Sequence, residues 1–350
     1  MVILLSCLFV GSFFFLFLFS LAQLQLTWIY VRHKSVPAIH SDSAQNFEPH
    51  VTIQLPIYNE KYVVERLLDA ITSLDYPKDK FEIQILDDSN DETTGIIFQK
   101  LNWLERKDID IKHLARKNRT GFKAGALQAG LQSAKGDFVV IFDADFVPSP
   151  DFLRKTMSYF IDPSIGAVQT RWAHINENYS LLTQLQAFGL NAHFSIEQSA
   201  RNVSGSFINF NGTCGIWRKQ CITDAGGWSA DTLTEDLDLS YRAQLRGWKL
   251  KYLENVVTPG ELPVVMQAIK SQQYRWNKGG AETARKLIFN VLLSKEKFKT
   301  KLKAFFHLFN SSVFVALLIA AITSIPMLYL KKESIFIATL FDLGAIFFLG

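Results

Sequence analysis

Apolar and polar positions divide the chain into three parts. From Val2 to Leu24 no charge occurs and Phe and Leu dominate. About 20 apolar residues in a helix cross a bilayer core, so this run is long enough to span. No basic segment precedes it and no small-residue cleavage site follows, so it reads as a retained anchor over residues 1–30 rather than a removed leader. Trp28 and Tyr30 then fall at the interface, followed by Arg32, His33 and Lys34 on the expected cytoplasmic side. A second uncharged run, 304–330, is punctuated by His307, Asn310 and Pro326, and reads as a spanning helix. A third begins at Ile335 and is still apolar at Gly350, as the start of a further span cut short there.

The middle part alternates. Polar residues 31–50 form a linker. Then VTIQLPIY at Val51, FEIQIL at Phe81, IDIKHL at Ile109, FVVIFDADF at Phe138 and GAVQTRW at Gly166 read as strands. Between them, Val63, Val64, Leu67, Leu68 and Ile71 mark a helix face, as do Ile96, Ile97, Leu101 and Leu104, and FKAGALQAGLQSA reads as a helix ended by Gly136. Strand–helix alternation of this kind predicts an α/β domain over 51–290 with a mainly parallel sheet, whose ligands bind beyond the carboxyl ends of the strands. The segment 291–303 contains SKEKFKTKLK, which suits either an interfacial helix against anionic head groups or a solvated linker.

Composition narrows the function. Net charge is +4 and the basic residues form no stripe, so nucleic acid is not an expected partner. Cys7, Cys214 and Cys221 stand without a second pair or a suitable His, against a disulfide framework or a zinc site. No P-loop pattern occurs, and GFKAGALQAG lacks dinucleotide-binding spacing. His113, His174 and His193 are scattered and read as packing or surface residues.

Four short motifs carry candidate chemistry. Asp87-Asp88-Ser89 follows a strand, where such residues equally well start a turn. Asp143-Ala144-Asp145 ends a buried strand, and alternation puts both carboxylates on one side. Carboxylates that close repel unless a cation lies between them. A hard divalent cation takes one or two carboxylates and completes its shell with substrate phosphates. Thr234-Glu235-Asp236 opens a helix-like stretch, where taken alone helix capping is the stronger explanation. Gln272-Gln273-Tyr274-Arg275-Trp276 offers a phosphate partner and a flat face for a sugar, or simply a packed pair.

In combination and order, these motifs resemble the family 2 glycosyltransferases. QLPIYNE, QILDDSNDET, RKNRTGFKAGAL, IFDADFVPSPDFL, VQTRW, FNGTCGIWR, AGGW, TEDLDLSYRAQLRGWK and QQYRW cover nearly all of residues 51–280 in family order. The chain is similar to the processive, cellulose-synthase-like branch. Within it, the chain resembles the plant mannan and glucomannan synthases (cellulose-synthase-like A) and their bacterial relatives. The resemblance implies a GT-A-type, Rossmann-like domain flanked by transmembrane helices. It implies Tyr58, Glu60, Asp88, Lys123, Asp143 and Gln272 on the donor nucleotide sugar, and Asp143 and Asp145 on Mg²⁺ or Mn²⁺. Asp236 would be the general base, Arg275 would steady the departing diphosphate, and Trp276 would stack beside the acceptor sugar. Asn211, Gly212, Thr213 and Glu235 would complete the acceptor side.

FNGT stands where cellulose synthases carry a Phe-Phe-Cys-Gly-Ser type loop, which moves the expected donor towards GDP-mannose or UDP-glucose. The implied activity is an inverting hexosyltransferase extending a β-linked polysaccharide. Transfer to a membrane lipid, as in ceramide glucosyltransferases, is the alternative. Expected partners are the nucleotide sugar, a glycan or lipid acceptor and membrane lipids. The catalytic domain would face the cytoplasm, at a bacterial inner membrane or a Golgi membrane.

Overall fold

The computed structural model describes residues 2–33, 47–104, 109–331 and 335–349; residues 34–46, most of the expected linker, lie outside them. At its centre is a seven-stranded sheet of order β3-β2-β1-β4-β6-β5-β7. The strands are β1 Val51–Ile57, β2 Phe81–Asp87, β3 Asp110–Ala115, β4 Phe138–Ile141, β5 Ile165–His174, β6 Gly215–Arg218 and β7 Lys249–Gly260. β1 lies parallel to both β2 and β4, and β2 parallel to β3. β6 is inserted antiparallel between β4 and β5, while β7 pairs with β5 in parallel. The first five strands follow the sequence pattern. β6 is too short to show a period, and β7 mixes Lys, Glu and Asn with its apolar residues.

Helices cover both faces. α1 is Val2–His33, α2 Val64–Thr72, α3 Thr93–Leu104, α4 Phe122–Ser133, α5 Phe152–Met157, α6 Leu181–Asn191, α7 Ser199–Val203, α8 Lys219–Asp224, α9 Glu235–Leu245 and α10 Met266–Leu293. A π-helical turn, Ala192–Gln198, joins α6 to α7. Odd-numbered β1 residues Val51, Ile53, Leu55 and Ile57 meet Val64, Leu67, Leu68 and Ile71 of α2. Each such aliphatic side chain contributes about 1.5–3 kcal/mol by leaving water. The even-numbered positions carry buried polar pairs: Thr52 donates to Glu82 at 2.8 Å and Gln54 to Gln84 at 3.0 Å. α4 lies directly over the second pair because Gly130 has no side chain; a Cβ there would stand 2.6 Å from Gln54 Nε2.

α1 and α12 (Ser312–Leu330) are long and apolar enough to cross a membrane. At 1.5 Å per residue, the 32 residues of α1 extend about 48 Å, more than the thickness of a bilayer core. α1 packs along α12 and α13 (Ile335–Leu349), with Phe9 stacked on Phe341 at 5.4 Å. Its last turns reach the sheet domain: Leu26 and Ile29 contact Ala200, and Tyr30 donates to Glu254 at 2.9 Å.

The run 304–330 is not one helix. α11 (Phe298–Leu308) ends, the chain turns through 309–311, and α12 begins at Ser312. The cause is packing: Ala304 and Leu308 are drawn into a cluster with Phe207, Tyr241, Leu287 and Val291. The start of the expected span therefore rests on α9 and α10. Within the expected basic segment, Lys301 folds back to donate to the carbonyl of Leu292 at 2.7 Å.

Candidate active site

β1, β2 and β4 end at one edge of the sheet, and the acidic motifs lie just beyond them. Asp87 is the last residue of β2 and is buried. Its carboxylate accepts from Ser89 N and Thr94 Oγ1 and lies 3.0 Å from His113 Nε2. Burial alone would raise its pKa, but His113, Ser89 and Thr94 outweigh that and hold it at about 2. Asp87 thus fixes the loop, and Asp88 faces the edge, where Arg116 grips both of its oxygens. Tyr58 lies beside this pair, its ring covered by the Arg119 guanidinium at 3.2 Å.

Asp143 and Asp145 lie in a turn past β4 rather than in the strand itself, with Phe146 N donating to Asp143 O at 3.2 Å. Burial still alternates: Ala144 and Phe146 are buried, and the two Asp side chains face the cleft side. Burial and the neighbouring Asp143 push Asp145 up to about 7. Glu60 is likewise pushed up to about 7 by burial, then by Asp145 and Asp143. Glu261, just past β7, adds to the crowding and is held by Arg66 at 2.5 Å.

Lys123 connects this acidic edge to the second half of the site. Its ammonium lies 2.5 Å from Asp143 Oδ1 and donates to Gly212 O at 3.1 Å. Burial would lower its pKa; the charges of Asp143, Glu235 and Asp236 raise it instead. Glu235 and Asp236, at the start of α9, are both raised by burial, Asp236 further by Glu235. Thr234 occupies the N-cap position but does not cap; its hydroxyl pairs with Thr283 of α10 at 3.2 Å.

The FNGT loop lies between these groups. Gly212 adopts φ +81°, and a Cβ there would stand 3.2 Å from Asp236 Oδ2 and 3.4 Å from Lys123 Nζ. Thr213 Oγ1 accepts from Asp143 N at 2.8 Å, tying the loop to the aspartate turn. Asn211 N donates to Gln169 of β5 at 2.8 Å.

Gln272, Arg275 and Trp276 occupy one face of α10 by their three- and four-residue spacing. The same face continues through Gly279, whose absent Cβ would stand 2.6 Å from Thr234 Cγ2. That close approach brings Arg275 near enough for its charge to act on Glu235. Gln272 and Trp276 are half-buried, and among the described residues no hydrogen bond joins either to the acidic edge. Arg116, Arg119, Gln169 and Glu261 belong to the site but receive no role from the sequence: the first two stand in RKNRTGFKAGAL, where only Lys123 is assigned, Gln169 stands in VQTRW, and Glu261 lies in no motif.

Among the described residues no set of three His, Cys, Asp or Glu side chains forms a ready metal cage. Asp143 and Asp145 stand as two partly exposed carboxylates two residues apart, past the end of β4. A hollow of about 310 Å³ lined by Ala284, Arg285, Ile288 and Phe309 lies apart from them. Charge and hydrogen bonding mark the site.

Residues 49–279 match the family profile described as glycosyltransferase like family 2. The chain belongs to this family. Similar proteins include a probable glucomannan 4-beta-mannosyltransferase 2 of Oryza sativa subsp. japonica, 41% identical over 280 residues, covering 78% of this chain and 48% of the relative. Glucomannan 4-beta-mannosyltransferase 2 of Arabidopsis thaliana is 41% identical over 274 residues, 76% of this chain and 51% of its own length. The chain spans about half the length of these curated relatives. Among solved structures, the family 2 chain is similar to the mannosyltransferase PcManGT of Pyrobaculum calidifontis, in complex with GDP-Man and Mn²⁺. The TM-score is 0.71 at 22% identity, covering 99% of this chain and 92% of that one. S. aureus TarS with UDP-GlcNAc gives a TM-score of 0.56 at 16% identity, over 75% and 72% of the two chains. Both likenesses concern the fold.

Proposed function

We propose that this family 2 chain transfers a hexose, mannose before glucose, from a nucleotide sugar to a growing β-linked polysaccharide at a membrane. The observation that carries the reading is the row Asp145, Asp143, Lys123, Gly212, Asp236. It sets a crowded carboxylate pair at one end and a buried carboxylate at the other, with a lysine and an open glycine between. The preference for mannose is drawn from the glucomannan mannosyltransferases to which the chain is similar.

Asp143 and Asp145 suit a hard divalent cation: burial and the nearby Asp143 carboxylate push Asp145 towards protonation, a cost that a cation removes. Such an ion, Mg²⁺ or Mn²⁺, would supply charge for the donor's diphosphate. Tyr58, Glu60, Asp88 and Gln272 line the donor side in this reading, and Arg116 fixes the Asp88 carboxylate to receive a nucleobase. Lys123 places a positive charge beside the diphosphate, and Arg275 joins it as the leaving group departs. Asp236, raised towards neutrality by burial and Glu235, takes the proton of an acceptor hydroxyl at its carboxylate oxygen. Direct displacement with one base inverts the anomeric centre. Asn211, Thr213 and Trp276 line the acceptor side. α1 and α12 hold the domain at the bilayer, with Arg32 and His33 on the cytoplasmic face.

The test is donor turnover by the full-length protein in detergent, with GDP-mannose, UDP-glucose and UDP-N-acetylglucosamine, each with Mg²⁺ or Mn²⁺, beside Asp236→Asn. The expected result is nucleoside diphosphate release with a high-mass product, falling by on the order of 10²–10⁴-fold in the variant. A product that is only a lipid glycoside replaces the polysaccharide reading with lipid transfer. No turnover of any donor by folded protein refutes both.

A further inference from the structure

The π-helical turn Ala192–Gln198 stands outside the residues given roles so far, yet it touches one of them from two directions. Gln198 is fully buried and its side-chain amide donates to Asn211 Oδ1 at 2.8 Å and to the carbonyl of Asn209, also at 2.8 Å. His193 Nε2 lies 3.4 Å from Asn211 Nδ2. Both ends of the Asn211 amide are therefore held from one helical turn. The π form is what makes this possible. His193 and Gln198 are five residues apart, which in an α-helix, at 3.6 residues per turn, leaves them about 140° apart around the axis. The i→i+5 register of a π-helix brings that spacing back to one face.

The hydrogen bonds also define the state of the ring. His193 Nδ1 lies 3.2 Å from Glu197 Oε2, a carboxylate oxygen that can only accept while Glu197 is ionised. Nδ1 therefore carries the proton, and Nε2 is left with a lone pair to receive the Asn211 amide. Glu197 is in turn held by Arg201 at 2.9 Å. Burial would raise Glu197, but Arg201 and His193 overcome it and keep the carboxyl well below its ordinary range. Arg201, Glu197, His193 and Asn211 thus form one directed chain, ending on the residue beside Gly212.

We propose that His193 and Gln198 are positioning residues of the transfer reaction: from the π-turn they clamp the Asn211 amide and so hold the FNGT loop in its left-handed turn at the acceptor side. The proposal rests on the reading of that loop as acceptor-facing. It assigns the π-turn a task in acceptor binding rather than in donor binding. Irregular helical turns of this kind appear frequently at functional sites.

The experiment uses the full-length protein with His193→Ala, His193→Gln and Gln198→Ala, and measures two things. Hydrogen exchange of the peptide spanning 207–214 reads the clamp itself, without any need for turnover. Faster exchange in His193→Ala and Gln198→Ala, restored in part by His193→Gln, is expected; unchanged exchange in the folded variants overturns the clamp. Steady-state kinetics with GDP-mannose and a short β-1,4-manno-oligosaccharide reads its purpose. A rise of about tenfold in the KM for the oligosaccharide, with the donor KM held, is expected from loss of one hydrogen bond to a binding group. Equal rises in both constants, or a fall in kcat alone, overturn the acceptor assignment. If the wild-type protein turns over no donor, the functional reading fails while the exchange result still decides the clamp. Should Gln198→Ala fail to fold, the two His193 variants carry the test.

Discussion

Replacing Gly212 by alanine separates two costs that usually come together. At φ +81° a side chain is strained whatever surrounds it, by about 1–2 kcal/mol for a left-handed residue. At this position the new Cβ would also stand 3.2 Å from Asp236 Oδ2, which must yield by a few tenths of an ångström, and 3.4 Å from Lys123 Nζ, an ordinary contact. Gly205 supplies the control: its φ is +61°, and a Cβ there meets nothing within 4 Å. Both alanine variants are therefore expected to lose about 1 kcal/mol of stability in denaturant unfolding. Only Gly212→Ala displaces the carboxylate assigned as base; since about 1 Å of misplacement costs about 10²-fold, a shift of a few tenths is expected to slow turnover about fourfold. The assay is nucleoside diphosphate release at saturating donor, with unfolding midpoints measured on the same preparations. A turnover number for Gly212→Ala within twofold of that for Gly205→Ala refutes the argument that Gly212 is kept for the space beside Asp236.

Two other outcomes follow from the geometry. Glu60 and Asp145 have folded pKa values of about 7, above the ordinary range near 4, so the folded protein holds more protons than the unfolded chain between those values. Their contribution to stability is intact below about pH 4 and lost as pH rises through about 7. With chelator present, the melting temperature is expected to fall from about pH 5 to about pH 8; Mn²⁺ abolishes the fall and Asp145→Asn flattens it, whereas an identical slope in Asp145→Asn disproves the assignment. At the other end of the site, Gly279→Ala places a Cβ 2.6–2.8 Å from Thr234 and is expected to lower both stability and turnover. Thr234→Ala added to it recovers part of the stability, since only the Cγ2 and Oγ1 contacts can be removed; simple additivity in the double-mutant cycle counts against the close packing.

The parallel half of the sheet was legible because β1, β2, β4 and the first six residues of β5 are buried on both faces and their apolar runs are bounded by turns. The antiparallel insertion was not, since four residues of β6 carry no period. Asp143, Lys123, Gly212 and Asp236 are brought together, and each stands in a motif that order along the chain made recognisable. Periodicity misplaced the aspartate pair by extending β4 past Ile141, where the backbone turns while burial goes on alternating. It also joined α11 to α12, because apolarity alone cannot distinguish a helix facing lipid from one facing Phe207 and Tyr241. Arg116 and Gln169 act through partners distant in sequence, and spacing carries no trace of such pairings. His193 read as a packing or surface residue; the π-turn that gives it a second partner has no signature in the order of residues.

The contact between the end of α1 and Glu254 has a mechanical consequence. Glu254 receives Tyr30 from one side and Ser199, at the first residue after the π-turn, from the other. The helix α1, long and apolar enough to cross a membrane, is thereby pinned to the scaffold behind the FNGT loop. On the proposed function, with α1 embedded, this pin would limit how far the catalytic unit can move from the bilayer, so a growing glycan end would meet it at a nearly constant height above the lipid.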